Sequence, residues 1–575
     1  MVIADASMVG WKLRTVQYVY SHAGVAAGAL ALAAICCAFC AVAVGSVVFA
    51  APICAGSGLP EAKGYFNGSH VPDMFQPINL YVRVFGIVFA VAAGLPIGRE
   101  GPMVCIGGCL GIGTVHVLAA KYVRNEVQLQ DRASSGSFGF IDEERFAHAK
   151  RIGCILGGAA GIASAFGAPV GGILYMFEEV TVTSWPSELT FRVFICTMLA
   201  SLVSRGFLNL AGQDVHRLVL WNEEAISSMR WAWIDVPYFI VLSVVCGLCS
   251  AIFTKGMVGT WQLRRWLQGS RVLERYQPYP KLWDALLYTA LCALVFGTMP
   301  AFFGCEPVPT SSAHGGEGAH HRRLEGGGDA HADSWVPYTC HEGYMSEVAT
   351  LVLSGAEGAI KQLYSRDEDE HFSLGSLGSV FVGHLYFLLA MGVSGLSIPM
   401  GAFVPTMLIG AVAGRFTGEA LVGRGTSHPG LYALVGSAAM LSGFTRMTIA
   451  IVMLLVEATR DLSAMLPLML GIFTSQCVSR LVASHDFTDE MVLKKGIAFL
   501  DPTLPNVLSG ADVTAESLQL RVEELRGTCN EPEELPVQAP LSTVIRALRQ
   551  DRIAYFPVVA DGVCLGPSDS CRARG

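Results

Sequence analysis

Two short stretches decide the reading of this 575-residue chain: Pro96-Ile97-Gly98-Arg99-Glu100-Gly101-Pro102 and Pro399-Met400-Gly401-Ala402-Phe403-Val404-Pro405. Both spell P-x-G-x-x-x-P, and they stand 303 residues apart (399 − 96). At the same offset Ile106-Gly107 meets Ile409-Gly410, and Gly111 meets Gly414. A second block matches at 278 (436 − 158): Gly158, Ala160, Ser164, Phe166 and Glu179 against Gly436, Ala438, Ser442, Phe444 and Glu457. The longer polar segment 121–151 absorbs the shift. Chance coincidence of Gly and Pro is the alternative, and two separate blocks argue against it. In a membrane chain, weak internal symmetry of this kind marks duplicated transporter halves, with substrate held near the midplane between broken helices.

Composition says that this is a membrane chain. Charged residues are 15% of the sequence, against roughly a quarter in soluble domains, and the mean hydropathy is +0.48. The 63 Gly and 26 Pro are spread through apolar runs, which excludes a soluble multidomain enzyme or a disordered chain. A net charge of −8 offers no basic face to nucleic acid. The expected partners are lipid and small solutes. Most of the 17 cysteines, including Cys36, Cys37, Cys40, Cys154, Cys196 and Cys246, lie in apolar runs and read as small hydrophobes, with no metal-ligand spacing among them. The first long apolar run, 25–54, exceeds a signal-peptide core and reads as a retained span; the chain enters it so soon that an N-terminal cytosolic segment is expected to be missing.

Apolar stretches long enough to span recur near 25–54, 77–98, 190–211, 236–258, 283–303, 375–398 and 463–483. Shorter Gly-rich ones near 103–120, 150–179, 399–415 and 430–457 read as broken or re-entrant helices, which a bilayer tolerates only where protein shields the backbone. The expected fold class is therefore an all-α polytopic membrane protein of two inverted repeats, about 25–211 and about 236–487, within a transport domain covering 1–487. The Lys/Arg-rich segments 121–151 and 264–281 are expected to face the cytosol. The acidic loop at about 304–374 is expected on the lumenal or exterior side, where Cys305 and Cys340 either pair or stay as free thiols. Its His314, His320, His321 and His331, with His341 following, read as a disordered insert before they read as a metal site or pH sensor. From 488 to 575 the composition turns soluble, and Leu541–Gly562 reads as an amphipathic helix followed by a Val-rich strand.

Each P-x-G-x-x-x-P block puts Pro and Gly ahead of a helix, so unpaired N–H groups and the positive dipole end point inward. Gly56-Ser57-Gly58-Leu59-Pro60 adds a third such break, with the Ser57 hydroxyl as a donor and Gly58 allowing close approach. Three converging helix N-termini without a fixed cationic ligand suit a small anion that must bind and also leave. Intramembrane carboxylates are functional candidates by default. Glu100 stands beside the same N–H groups, so its ionised carboxylate competes with the anion and its protonation frees the site. Glu178 and Glu179, at the end of an apolar run, are candidates for a proton relay. Glu457, at the repeat position of Glu179, reads as structural.

These residues resemble the CLC chloride channels and chloride/proton exchangers from about residue 10 onward. The resemblance rests on G-S-G-L-P-E (56–61), G-R-E-G-P (98–102), G-A-P-V-G-G-I-L-Y-M-F-E-E (167–179) and G-A-F-V-P (401–405). It implies a homodimer with one anion pathway per subunit, between inverted halves. By resemblance Ser57 and Gly58 with Gly401, Ala402 and Phe403 form the anion site, Ser57 and the N–H groups of Ala402 and Phe403 holding the ion. Glu100 corresponds to the gating glutamate, and Glu179 to the proton-delivery glutamate that exchangers keep. Chloride and protons are then the transported ions, with no cofactor. Ser57 favours chloride over nitrate. The surrounding motifs look closest to the lysosomal, vacuolar and plant branch, which implies an endomembrane location ahead of the plasma membrane.

Three departures stand out. Phe487 falls where the family has an anion-coordinating tyrosine. Cys105 falls where many eukaryotic relatives carry His. The tail shows only the start, near 500–563, of one cytosolic CBS-type α/β repeat, so adenine-nucleotide regulation does not carry over, and an accessory subunit is not readable. Alternatives are a passive chloride channel with the same pore, a non-conducting regulatory subunit, and an intramembrane enzyme. The last has neither H-E-x-x-H nor G-x-S-x-G to support it.

Overall fold

The computed structural model describes residues 2–497 except for 131–142, 181–184, 211–230, 270–275, 308–335, 366–371, 376–379 and a few single or paired positions. In the tail it describes 535–536, 558–560 and 563–564. Among the described residues six helices are long and apolar enough to cross a membrane.

The first, α1 (Val2–Gly45), is a hairpin and not a rod. Gly24 breaks it with φ 85° and ψ 177°, and the Trp11 and Phe39 rings meet at 6.3 Å, whereas a straight helix would separate those residues by about 42 Å. Next come α2 (Leu59–Phe66), α3 (Pro77–Ala92), α4 (Glu100–Gln130), α5 (Glu143–Phe166), α6 (Pro169–Tyr175) and α7 (Ser187–Leu210). The second half runs through α8 (Val236–Gln268), α9 (Tyr279–Thr298), α10 (Glu347–Leu353), α11 (Ala356–Tyr364), α12 (Val380–Gly392), α13 (Phe403–Leu421), α14 (Pro429–Thr445), α15 (Ile449–Thr459), α16 (Met465–Val482) and α17 (Phe487–Lys495). Helices extend into both segments expected as basic loops, to Gln130 and to Gln268, because Lys, Arg, Gln and Glu prolong a helix readily.

The sequence repeat is visible in the packing. α4 lies along α5, and α13 lies along α14. A Cβ on Gly107 would fall onto the carbonyl oxygen of Gly157, and one on Gly410 onto that of Gly436. Small residues let the backbones touch at equivalent places in both halves, the usual device of helix pairs in membranes.

The halves are also laced together reciprocally at α6 and α15. Glu457, at the end of α15, accepts from Val170 N at 3.2 Å and Gly171 N at 2.8 Å, capping α6. Glu178, just past α6, accepts from Thr448 N at 2.7 Å, Ile449 N at 3.0 Å and the Thr448 hydroxyl at 2.9 Å, capping α15. The reciprocal partner of Glu457 is thus Glu178, one residue before Glu179, which stands at its position in the repeat. The first half departs from regular helix here, in a π-helical turn Met176–Val180, a feature frequent at functional sites, whereas α15 is a regular helix.

On the loop between α9 and α10, Cys305 and Cys340 are disulfide-bonded, beside a two-residue antiparallel pairing of Glu306–Pro307 with Tyr344–Met345. The histidines expected in an insert, His314, His320, His321 and His331, lie outside the described residues. In the tail, Val558–Ala560 pairs in parallel with Leu535–Pro536 and antiparallel with Val563–Cys564. That strand coincides with the Val-rich one expected there; the amphipathic helix before it lies outside the described residues.

Candidate anion site

The three sequence breaks meet at one point. Gly98 and Gly401, equivalent in the repeat, exchange backbone hydrogen bonds: Gly98 N to Gly401 O at 2.6 Å and Gly401 N to Gly98 O at 2.9 Å. Gly56 N donates to Ile398 O at 2.8 Å, and Met400 N to Gly56 O at 3.1 Å. The backbone on the amino side of α2, α4 and α13 is thereby tied into one knot. The first N–H groups of each helix have no partner inside their own helix, so three positive dipole ends are held together.

Glu100 opens α4 and is 2% exposed. Its Oε2 has no hydrogen-bond partner among the described residues. A Cβ on Gly98 would overlap this carboxyl group, and one on Gly401 would stand 3.2 Å from Oε2 and 3.3 Å from Gly101 N. The two glycines therefore make the room in which the carboxyl group sits, between the first turns of α4 and α13. A buried carboxyl oxygen without a partner is costly, and here the group occupies the place where helix dipoles favour negative charge.

Ser57 lies against the same turn: a Cβ on Gly101 would come within 2.9 Å of Ser57 Cβ. Its hydroxyl oxygen accepts from Leu59 N at 3.3 Å, which leaves its own proton free to donate. Gly58 has φ 71°, and a Cβ there would meet the Arg83 guanidinium and Cys105 Sγ. Ala402 caps α13. The Phe403 ring packs on Phe166 at 5.3 Å and on Tyr175 at 6.3 Å. Phe487 is buried and stacked on Phe444 at 5.2 Å, so its ring fills space and supplies no hydroxyl.

Glu179 is 4% exposed and accepts from the Thr488 hydroxyl at 2.6 Å. Thr488 follows Phe487 on α17, which is clamped to α2 by ion pairs near both ends, Lys63 with Asp489 at 2.5 Å and Lys495 with Glu61 at 2.6 Å. Glu178, the other glutamate of the pair, has its carboxylate committed to the cap of α15.

Two residues were not singled out from sequence. Arg83 on α3 is fully buried behind Gly58; only its Nη2 makes a bond, to Ile53 O at 3.3 Å, while Nε and Nη1 have no partner among the described residues. A lone arginine inside the apolar run 77–98 was the available signal. Tyr175, 1% exposed, stands one turn before Glu179 and within electrostatic reach of both Glu179 and Glu100. Nothing marks it in sequence, since a tyrosine in an apolar helix usually reads as packing.

The sequence profile described as "Voltage gated chloride channel" matches residues 27–480. The chain is 28% identical to chloride channel protein CLC-b of Arabidopsis thaliana over 87% of its length and 60% of that protein's. It is 29% identical to the H(+)/Cl(-) exchange transporter 7 of Mus musculus over 92% of its length and 61% of that protein's, so it spans about three-fifths of these relatives. Among solved structures, a eukaryotic CLC transporter superposes with a TM-score of 0.59 at 19% identity, covering 98% of this chain and 82% of that one. A slow cyanobacterial Cl-/H+ antiporter gives 0.59 at 18% identity, covering 86% and 92%. These two establish the fold, which is the CLC transporter architecture that the resemblance implied. With the profile covering most of its length and its polytopic helical fold, the chain is an integral membrane protein that belongs to the voltage gated chloride channel family.

Proposed function

We propose that this protein moves chloride across a membrane in exchange for protons. The observation that carries the reading is the Glu100 carboxyl group, its Oε2 without a partner among the described residues, lodged between the bonded pair Gly98–Gly401 at the first turns of α4 and α13. An ionised Glu100 and a chloride ion want the same N–H groups, so each excludes the other. Ser57 and the N–H groups of Ala402 and Phe403 hold the ion, Arg83 behind Gly58 supplies positive potential, and protonation lets Glu100 leave. Glu179, held by Thr488, exchanges protons with the cytosol, and Tyr175 is within electrostatic reach of both glutamates. Glu178 is left to its capping role. The names of the relatives, a chloride channel protein and an H(+)/Cl(-) exchange transporter, agree with this substrate pair.

The finer features belong to the same proposal. The transport domain covers 1–487, and 488–575 forms a cytosolic tail with an incomplete CBS-like repeat. The protein works as a homodimer with one pathway per subunit, prefers chloride to nitrate through Ser57, and resides in an endomembrane. A passive channel is the second reading, favoured by Phe487, which places an aromatic ring without a hydroxyl beside the pathway.

Proton uptake by liposomes containing the purified protein, with a chloride gradient as the only driving force, tests the proposal. Uphill proton movement that disappears in Glu179→Gln while chloride flux persists is the expected result. Chloride flux with no proton movement in the unmodified protein would establish the channel reading instead.

A further inference from the structure

Lys12, on the first arm of α1, is 3% exposed. Its ammonium donates to Ala92 O at 2.8 Å, at the end of α3, and no carboxylate pairs with it among the described residues. Capping α3 occupies one of its three N–H groups and offsets part of its charge, because a helix C-terminus carries about half a unit. The remaining charge faces a cavity of about 50 Å³, lined by Lys12, Leu32, Pro96, Phe296, Gly355 and Tyr386 among others. One water needs about 10–15 Å³ by this measure, so the space admits a small ion with a little water and is too small for an organic phosphate. Apart from Lys12, Cys36 and Tyr386 the side chains lining it are apolar, which strengthens any charge interaction inside. Pro96 and Ile97 line this cavity on one side and, on the other, a smaller one reaching Met400, Gly401 and Ala402.

We infer that Lys12, with the chain at Gly94–Ile97, forms a second site for a small inorganic anion of the halide class, one loop away from Glu100 on the side of the Cys305–Cys340 disulfide. The site's chemistry follows from the buried ammonium and its cavity; only its place on a transport route rests on the function proposed above. The structural alternative is that Lys12 is a helix cap and nothing more. Lys12→Gln separates the two readings, since glutamine keeps an N–H donor for Ala92 O and removes the charge; Lys12→Met removes both.

Bromide is the probe. Crystals of the full chain grown in bromide should show anomalous density beside Lys12 Nζ as well as beside Ser57. The Lys12 peak should vanish in Lys12→Gln and Lys12→Met while the Ser57 peak stays. In liposomes, half-saturating chloride supplied from the disulfide side should rise at least about tenfold in Lys12→Gln, the loss of one charge-assisted contact. A Ser57 peak without a Lys12 peak, or Lys12→Gln behaving as the unmodified protein, overturns the second site and leaves the proposed function standing. A Lys12 peak in a protein that moves no chloride supports the site and overturns the function. Bromide at neither position overturns both.

Discussion

Replacing Gly101 with alanine tests whether Ser57 and the start of α4 form one anion site. The added Cβ would stand 2.9 Å from Ser57 Cβ, 3.2 Å from Ser57 O and 3.3 Å from Ser57 Cα, where carbon atoms prefer about 3.5–4.0 Å. Two of the three atoms are backbone, so no flexible side chain can turn aside, and Ser57 must retreat from α4. Overpacking of this size costs about 1–3 kcal/mol, equivalent to about 5- to 150-fold in an equilibrium. Charged to the site, this raises the chloride dissociation constant by that factor. Gly113→Ala is the control. It lies on the same helix with nothing within 4 Å of the added carbon, and helix propensity alone makes it neutral or slightly stabilising. Chloride titration by calorimetry on both variants gives the comparison. Equal affinities for Gly101→Ala, Gly113→Ala and the unmodified protein would refute the placement of the anion between Ser57 and α4.

Glu100→Gln should abolish proton coupling and leave chloride flux independent of pH between about 5 and 8, measured as chloride efflux from liposomes at several pH values. Tyr175→Phe should lower the number of protons moved per chloride without changing protein yield; if Tyr175 only packs, that ratio stays constant. Removing either reciprocal cap, Glu457→Ala or Glu178→Ala, should lower thermal stability by several degrees, since each loses two or more charge-assisted bonds to a helix N-terminus worth about 1.5–3 kcal/mol apiece. Cys305→Ser should destabilise by about 3–4 kcal/mol through release of a loop with a sequence separation of 35, judged from denaturant titration with and without reductant.

Where one residue type could serve only one purpose, the sequence was legible. Gly98 and Gly401 were found as repeat partners and turn out to bond to each other, because P-x-G-x-x-x-P is a demand on the backbone that sequence records directly. Glu100 was legible for a related reason, a carboxylate in an apolar run next to a helix start. The hairpin in α1 was not: the expected span, 25–54, begins just past the break at Gly24, and the polar residues scattered before it gave no sign of a second helical arm. Arg83 and Tyr175 were missed because their importance lies in what they face across the fold, not in local pattern. Phe487 was read at the position of the family's tyrosine, yet sequence could not show that its ring stacks on Phe444, which is 43 residues away (487 − 444).

The pair Glu178–Glu179 shows how a symmetric scaffold comes to do asymmetric work. Capping carboxylates at the ends of α6 and α15 are required in both halves, and symmetry supplies them as Glu178 and Glu457. In the first half only, the chain runs as a π-helical turn over Met176–Val180, and a second carboxylate, Glu179, follows Glu178 on a different face. That face is interior, where Glu179 meets Thr488 and Tyr175 instead of a helix end. Replacing Glu179 with alanine while keeping Glu178 should leave both caps in place and remove the buried carboxylate. The expected protein is folded and passes chloride without moving protons. A Glu179→Ala variant that still pumps protons uphill would show that the relay does not depend on the second carboxylate.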